Sequence, residues 1–219
     1  MSRIVRVAVK DNCYRVIPTK YPTINVFEDV ADPKDFDVLY QIQAITNPQL
    51  EEGITSSKSH YIDTPFFYLN PTGSRFTDGT FGIYYAGCSE EVGIAETIYH
   101  AEQFMKETSE PAQSLDRRMI VAHLDARLHT ISGRQKQFPE YYRDTDYSHS
   151  QAFGLSLYDQ GSEGIRYSSV RHSRHDHAYA VMTPDVLSRA RQSKHLVYEW
   201  NGSSISNYYE KRLLSCPYQ

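Results

Sequence analysis

The sequence predicts an α+β fold, and three observations carry that expectation. Strand-like segments, rich in branched and aromatic residues, and helix-like segments with 3.6-residue periodicity are mixed without steady alternation, which argues against a doubly wound parallel sheet. The chain has no internal repeat. Its sharpest local signal is "FGIYYAGCSEEVGIAETIYH", Phe81 to His100, where a strand bounded by glycines runs into a capped helix.

Taken in order, "NCYRVIP", Asn12 to Pro18, reads as a first strand ended by proline, followed by the turn-rich "KYPTINVFEDVADP". Phe36, Leu39, Tyr40, Gln43 and Ile45 fall at helical spacing, so a helix is expected from Pro33 to about Thr46, stopped by Asn47-Pro48. "GITSSKSHYIDTPFFYLNPTGS" reads as connecting structure with one apolar piece, Phe66 to Leu69. "FGIYYAG" is a strand. Ser89 then suits an N-cap, and Glu90 and Glu91 lie where carboxylates favour the positive helix end. Ile94, Ala95, Ile98, Ala101 and Met105 form the apolar face of that helix, to about Lys106. "RMIVAHLDA" is a strand, and Asp144 to Gln160 a helix through Ala152, Leu155 and Tyr158. "GIRYSSV" and "HAYAVMTP" are strands around a polar, histidine-rich turn, and "HLVYEWNGSSI" is a hairpin with Asn201-Gly202 as its tight turn.

A chain of 219 residues is long enough for one sizeable core, so residues 1–219 are expected to form a single domain. Hydrophobic residues at 40% and charged residues at 23% are ordinary for a globular protein and leave no segment with the composition of a disordered tail. No signal peptide or apolar run of membrane-span length is present, so the expected location is cytoplasmic, without a membrane partner. Cys13, Cys88 and Cys216 are too few and too scattered for a disulfide framework or a zinc cluster. A net charge of -4, with basic residues spread along the chain, argues against direct binding of nucleic acid.

Several chemistries lack their motifs. Neither the dinucleotide fingerprint G-x-G-x-x-G nor the phosphate-cradling G-x-x-x-x-G-K-[ST] occurs, nor H-E-x-x-H or G-x-S-x-G. His172, His175 and His177 sit close enough to hold a divalent metal if Asp176 joined them. Metal ligands usually come from better-separated elements, so a solvated turn is the favoured reading and no metal is expected. By periodicity alone, Arg75 is a surface cation, Tyr85 a strand residue, Ser168 and Ser169 strand residues, and Glu96 part of a solvent stripe with His100 and Gln103.

The ordered combination says more. Arg75 precedes Tyr85 by ten residues and Tyr85 precedes Glu96 by eleven, in "GSRF....GIYYA.S.E..IAE..YH". With "GIRYSSVR" further on, this resembles the RES domain family, named for its arginine, glutamate and serine. Ser169 is the better match to the serine and Ser168 the alternative. "YRV" at Tyr14 to Val16 resembles the family's opening strand, which would make Arg15 a second functional arginine, and "LVYEWNGSSI" is similar to the end of the longer members. Phe76 and Thr77 stand where short members carry tryptophan and asparagine, and the distance from Arg15 to Arg75 also fits the longer subgroup, which is linked to ADP-ribosyl transfer.

The resemblance, about residues 14–205, implies an ADP-ribosyltransferase-like mixed sheet with flanking helices and an enzyme acting on NAD. It implies a toxin of a bacterial toxin-antitoxin pair that cleaves the nicotinamide-ribose bond. The ADP-ribose would then pass to water, to phosphate, or to a protein of nucleotide synthesis. The implied partner is a helix-turn-helix (Xre-type) antitoxin, and homodimerisation is left open. Arginine suits a pyrophosphate through bidentate charge-assisted hydrogen bonds, a role given to Arg75 with Arg15 second. Tyr85 would stack on the cationic nicotinamide, Glu96 would hold a ribose hydroxyl and offset developing positive charge, and Ser169 or Ser168 would hydrogen-bond the ligand. The rival readings are a catalytically inactive nucleotide- or partner-binding module and a metal-dependent hydrolase on the histidine turn.

Overall fold

A computed structural model describes residues 4–19, 38, 60–172, 174 and 176–212. The helix expected from Pro33 to about Thr46 lies outside the described residues. Seven strands are seen among the described residues: β1 (Val5–Pro18), β2 (Tyr84–Gly87), β3 (Gln113–Thr130), β4 (Gly164–Ser168), β5 (His177–Val181), β6 (Leu187–Trp200) and β7 (Ile205–Lys211). Among the described residues three complete α-helices accompany them: α1 (His60–Phe67), α2 (Glu90–Thr108) and α3 (Ser148–Asp159). The fold is α+β, as the unsteady order of strand and helix signals predicts.

The strands form one sheet in the order β1-β2-β5-β4-β3-β6-β7, and β1 also pairs with β3, so β1, β2, β5, β4 and β3 close a hydrogen-bonded circuit. The β1–β3 pairing is antiparallel from Val5↔Thr130 to Pro18↔Arg117, whereas β1 meets β2 only at Tyr14↔Gly87. Only the β3–β4 contact, His129↔Ile165 and Thr130↔Arg166, is parallel.

Alternation along the strands sorts side chains between two faces. On one, Cys13, Tyr84, Ala122, Leu124, Tyr179 and Val181 pack with Ile62 of α1. On the other, Tyr85, Ile165, Tyr167, Ala178 and Ala180 pack with Phe76 and with Val92 of α2, while Tyr14 and Val16 meet Ile94 and Ala101 of the same helix. Helix α2 comes very close to the sheet because Gly93 has no side chain: a Cβ there would lie 2.8 Å from the Tyr14 carbonyl oxygen.

Three sequence expectations need correction. The segment read as connecting structure holds α1, whose Pro65 and short length hid its helical pattern. Strand β6 begins at Leu187, well before "HLVYEW", because its first half is polar and exposed. The final hairpin exists, but Asn201-Gly202 is not a two-residue turn. Residues 201–204 separate the strands, and the Asn201 Oδ1 accepts from the Ser203 and Ser204 amides, an Asx turn.

Candidate active site

Arg75 stands in a tight turn. The Ser74 amide donates to the Thr77 carbonyl at 2.7 Å, and the buried Thr77 hydroxyl donates to the Phe81 carbonyl at 2.7 Å. Helix α3 presses on this turn: the Gln151 amide donates to the Ser74 carbonyl at 3.0 Å, and a Cβ on Gly154 would lie 1.9 Å from the Phe76 carbonyl oxygen. Arg75 is thereby buried to 8% exposure, with Nη1 donating to the carbonyls of Tyr141 (3.2 Å) and Arg143 (2.9 Å). Its guanidinium lies 4.8 Å from the centre of the Tyr147 ring, a cation-π contact.

Tyr85 projects from β2 toward the same turn. Its hydroxyl accepts from the Phe76 amide at 3.1 Å and shares a second hydrogen bond with Ser74 Oγ at 2.8 Å. Burial pushes the phenol up to about 12, so it stays neutral. With the hydroxyl already partnered by Phe76 and Ser74, the ring is what Tyr85 can offer a ligand.

Glu96 follows Gly93 by one helical turn on α2, at the point of closest approach to the sheet. Its Oε1 accepts from Ser169 Oγ at 2.6 Å. Ser169 is fully buried, and the same oxygen accepts from the amides of Arg171 (3.2 Å) and His172 (3.1 Å). One hydroxyl therefore fixes both the carboxylate and the chain leaving β4. The stripe read as solvent-facing splits: Glu96 is half-buried, and His100, one turn on, is exposed.

Two titratable groups feel the charges of these residues. The Tyr167 phenol is raised well above its ordinary value, chiefly by burial and then by the Glu96 charge, while Arg75 opposes. The His100 imidazole is lowered by desolvation, with Arg171 and Arg75 adding to the effect and Glu96 opposing it. Tyr85 thus meets the turn that holds Arg75, Ser169 meets Glu96, and the charges of Arg75 and Glu96 act on a common neighbour, Tyr167.

Arg15 is not brought into this group. It shares the sheet face of Cys13, opposite Tyr14 and Val16, and lines a pocket with Tyr61, Thr64, Pro65 and Tyr68. Its Nη1 donates to the Tyr85 carbonyl at 3.0 Å and its guanidinium lies 5.0 Å from the Tyr84 ring centre, so it braces β2 from behind. Ser168 also points away from Glu96. Its hydroxyl accepts from the Gly133 amide at 2.9 Å and lies 3.0 Å from Ser132 Oγ, itself 2.6 Å from His177 Nδ1. His172 Nδ1 faces Asp176 at 3.4 Å, so the described members of the histidine turn have different partners; His175 lies outside the described residues.

Sequence reasoning missed Tyr147, Tyr167 and Arg171. Arg171 is anchored over the Tyr99 ring, 3.4 Å from its centre, and pairs with Asp144 Oδ1 at 2.9 Å. Tyr99 lies three residues after Glu96, a spacing that placed it on the same helical face.

The sequence model of the RES domain family matches residues 53–201, and the chain belongs to that family. The uncharacterized protein y4oC of Sinorhizobium fredii (strain NBRC 101917 / NGR234) is 29% identical over 213 residues, covering 93% of this chain and 89% of that protein. Among solved structures, a chain of the M. tuberculosis MbcT-MbcA toxin-antitoxin complex matches with a TM-score of 0.51 at 12% identity, over 90% of this chain and 88% of that one. That likeness is one of fold, and it agrees with the mixed α+β architecture expected from the sequence.

Proposed function

We propose that the protein is a toxin of a toxin-antitoxin pair that binds NAD and breaks its nicotinamide-ribose bond. Membership of the RES family supports the substrate class, and the fold shared with a chain of a toxin-antitoxin complex supports the biological setting. The observation that carries the reading is the Glu96 carboxylate, held by the hydroxyl of buried Ser169 and acting, with the buried Arg75 guanidinium, on the Tyr167 phenol.

In this reading Arg75 binds the pyrophosphate and the Tyr85 ring stacks on the cationic nicotinamide. The C–N bond breaks with its electron pair going to the nicotinamide, which leaves neutral, and positive charge develops on the ribose. Glu96, preorganised in a partly desolvated wall, stabilises that charge and holds a ribose hydroxyl. Ser169 acts by aiming Glu96, since its single proton is already donated there. The acceptor, whether water, phosphate or a protein side chain, then adds to the ribose and loses a proton. The proposed partner is a helix-turn-helix antitoxin that covers the site, and the proposed location is the cytoplasm.

Purified protein incubated with NAD, with and without phosphate or cell extract, is expected to release nicotinamide. Mass spectrometry for free ADP-ribose, ADP-ribose 1″-phosphate and modified protein then identifies the acceptor. No nicotinamide under any of these conditions would sink the proposal.

A further inference from the structure

We propose that Arg171 is the second pyrophosphate-binding arginine of this site, the role that resemblance gave to Arg15; the inference rests on the NAD reading above. Arg171 is two residues beyond Ser169, and its amide is held by the same Ser169 hydroxyl that holds Glu96. Its side chain is only 12% exposed, yet its carboxylate partner Asp144 is 69% exposed. A solvated carboxylate offsets little of the cost of burying a cation, so this is a poor arrangement for stability alone.

The guanidinium also has donors to spare. Of its five N–H groups, one is directed at Asp144 Oδ1 (2.9 Å) and one at the Asp144 carbonyl (3.4 Å), and the rest have no protein acceptor among the described residues. Its carbon is stacked 3.4 Å from the centre of the Tyr99 ring, which fixes the plane of the fork.

Both arginines hang on one short stretch of chain. The Tyr141 and Arg143 carbonyls take Arg75, Asp144 takes Arg171, and the Tyr147 ring lies under Arg75. Both guanidinia are therefore held by residues 141–147, and both charges act on the His100 imidazole. Two rigid forks so placed match the two linked phosphates of a dinucleotide, one fork to each. Arg15, on the opposite sheet face, has no such access.

The test uses the full chain and isothermal titration calorimetry with two probes: ADP-ribose, which carries the pyrophosphate, and nicotinamide riboside, which lacks it. Arg171→Gln is expected to weaken ADP-ribose binding by at least about tenfold, the worth of one charge-assisted contact, and to leave the riboside unchanged. Arg171→Lys, which keeps the charge but not the fork, is expected to lose less, and it decides the matter if the Gln variant does not fold. Unchanged ADP-ribose affinity, or equal loss for both probes, would overturn the proposal, the second by showing that Arg171 only supports the fold. Wild-type protein that binds the riboside but not ADP-ribose would overturn it too. Wild-type protein that binds neither probe would instead bring down the NAD reading, and this inference with it.

Discussion

The Ser169 hydroxyl donates to Glu96 at 2.6 Å while accepting two backbone amides of its own loop, so the site carboxylate and the chain after β4 are fixed through a single oxygen. Removing that oxygen should disturb two things at once. Ser169→Ala is expected to reduce nicotinamide release and to lower the unfolding midpoint, since two amides lose their acceptor. Glu96→Gln should reduce release by about two to three orders of magnitude, the scale of one preorganised electrostatic contact, with the midpoint nearly kept. Nicotinamide chromatography alongside thermal unfolding separates the two; a folded Glu96→Gln protein with wild-type turnover would refute the site.

Tyr85 should divide by atom. In Tyr85→Phe the ring remains, but the Phe76 amide and Ser74 Oγ lose their partner, a change costing about 1–3 kcal/mol for a group left unsatisfied. Denaturant melts should record that loss while KM for NAD changes little. Tyr85→Ala should raise KM strongly, and an equal rise in both variants would place the function in the hydroxyl.

Arg15 is expected to matter for stability rather than for substrate. It caps the Tyr85 carbonyl and lies over the Tyr84 ring from the far side of the sheet. Arg15→Met should lower the unfolding midpoint and leave KM for NAD within about twofold; the reverse pattern in the same two measurements would return Arg15 to the site.

Gly154→Ala tests the packing beneath Arg75. The added methyl would meet the Phe76 carbonyl at 1.9 Å, so α3 must lift from the turn. A stability loss of about 1–3 kcal/mol, typical of overpacking, is expected together with weaker NAD binding. Crystals of the variant should show Arg75 displaced.

Acid sensitivity should run through His129. It accepts from Arg6 Nε at 3.1 Å and therefore donates from Nδ1 to Ser162 Oγ at 2.8 Å, a neutral tautomer fixed from both sides. Desolvation, with Arg6 second, lowers its pKa in the folded protein. Between that value and the unfolded value of about 6.5, the unfolded chain binds more protons, so stability rises with pH. The contribution is full above about pH 6.5 and is lost as pH falls through the folded value. Midpoints measured from pH 7.5 to 5 should fall on acidification, and His129→Gln, which keeps an acceptor for Arg6, should flatten that slope; an unchanged slope would refute the assignment.

The unit from β2 through α2 was legible because every local signal agreed: glycine boundaries, an N-cap at Ser89 that accepts from Val92, acidic residues in the first turn and an apolar stripe. The polar half of β6 and the proline-bearing α1 were not, since neither shows the periodicity of its class. The site was legible only as an ordered set of residue types. Periodicity assigned Glu96 to solvent, because nothing in a helical wheel reveals that a buried serine more than seventy residues later waits opposite it. Arg171 and Tyr147 remained invisible for the same reason, as their value lies in contacts between distant segments. Spacing gave no way to tell which sheet face Arg15 would occupy, because that depends on where β1 leaves β2.

The circuit of strands has a bearing on synthesis as well as on architecture. β1 is made before the other described strands but finds its partner, along fourteen paired positions, only after β3 emerges, and the circuit closes through β5, which ends at Val181. Ser169 stands just ahead of that last strand. A nascent chain released before His177 would carry Arg75, Tyr85 and Glu96 without the strand that completes their enclosure, and contacts so far apart in sequence form late. The order of translation itself keeps a partly made chain from holding the finished candidate site.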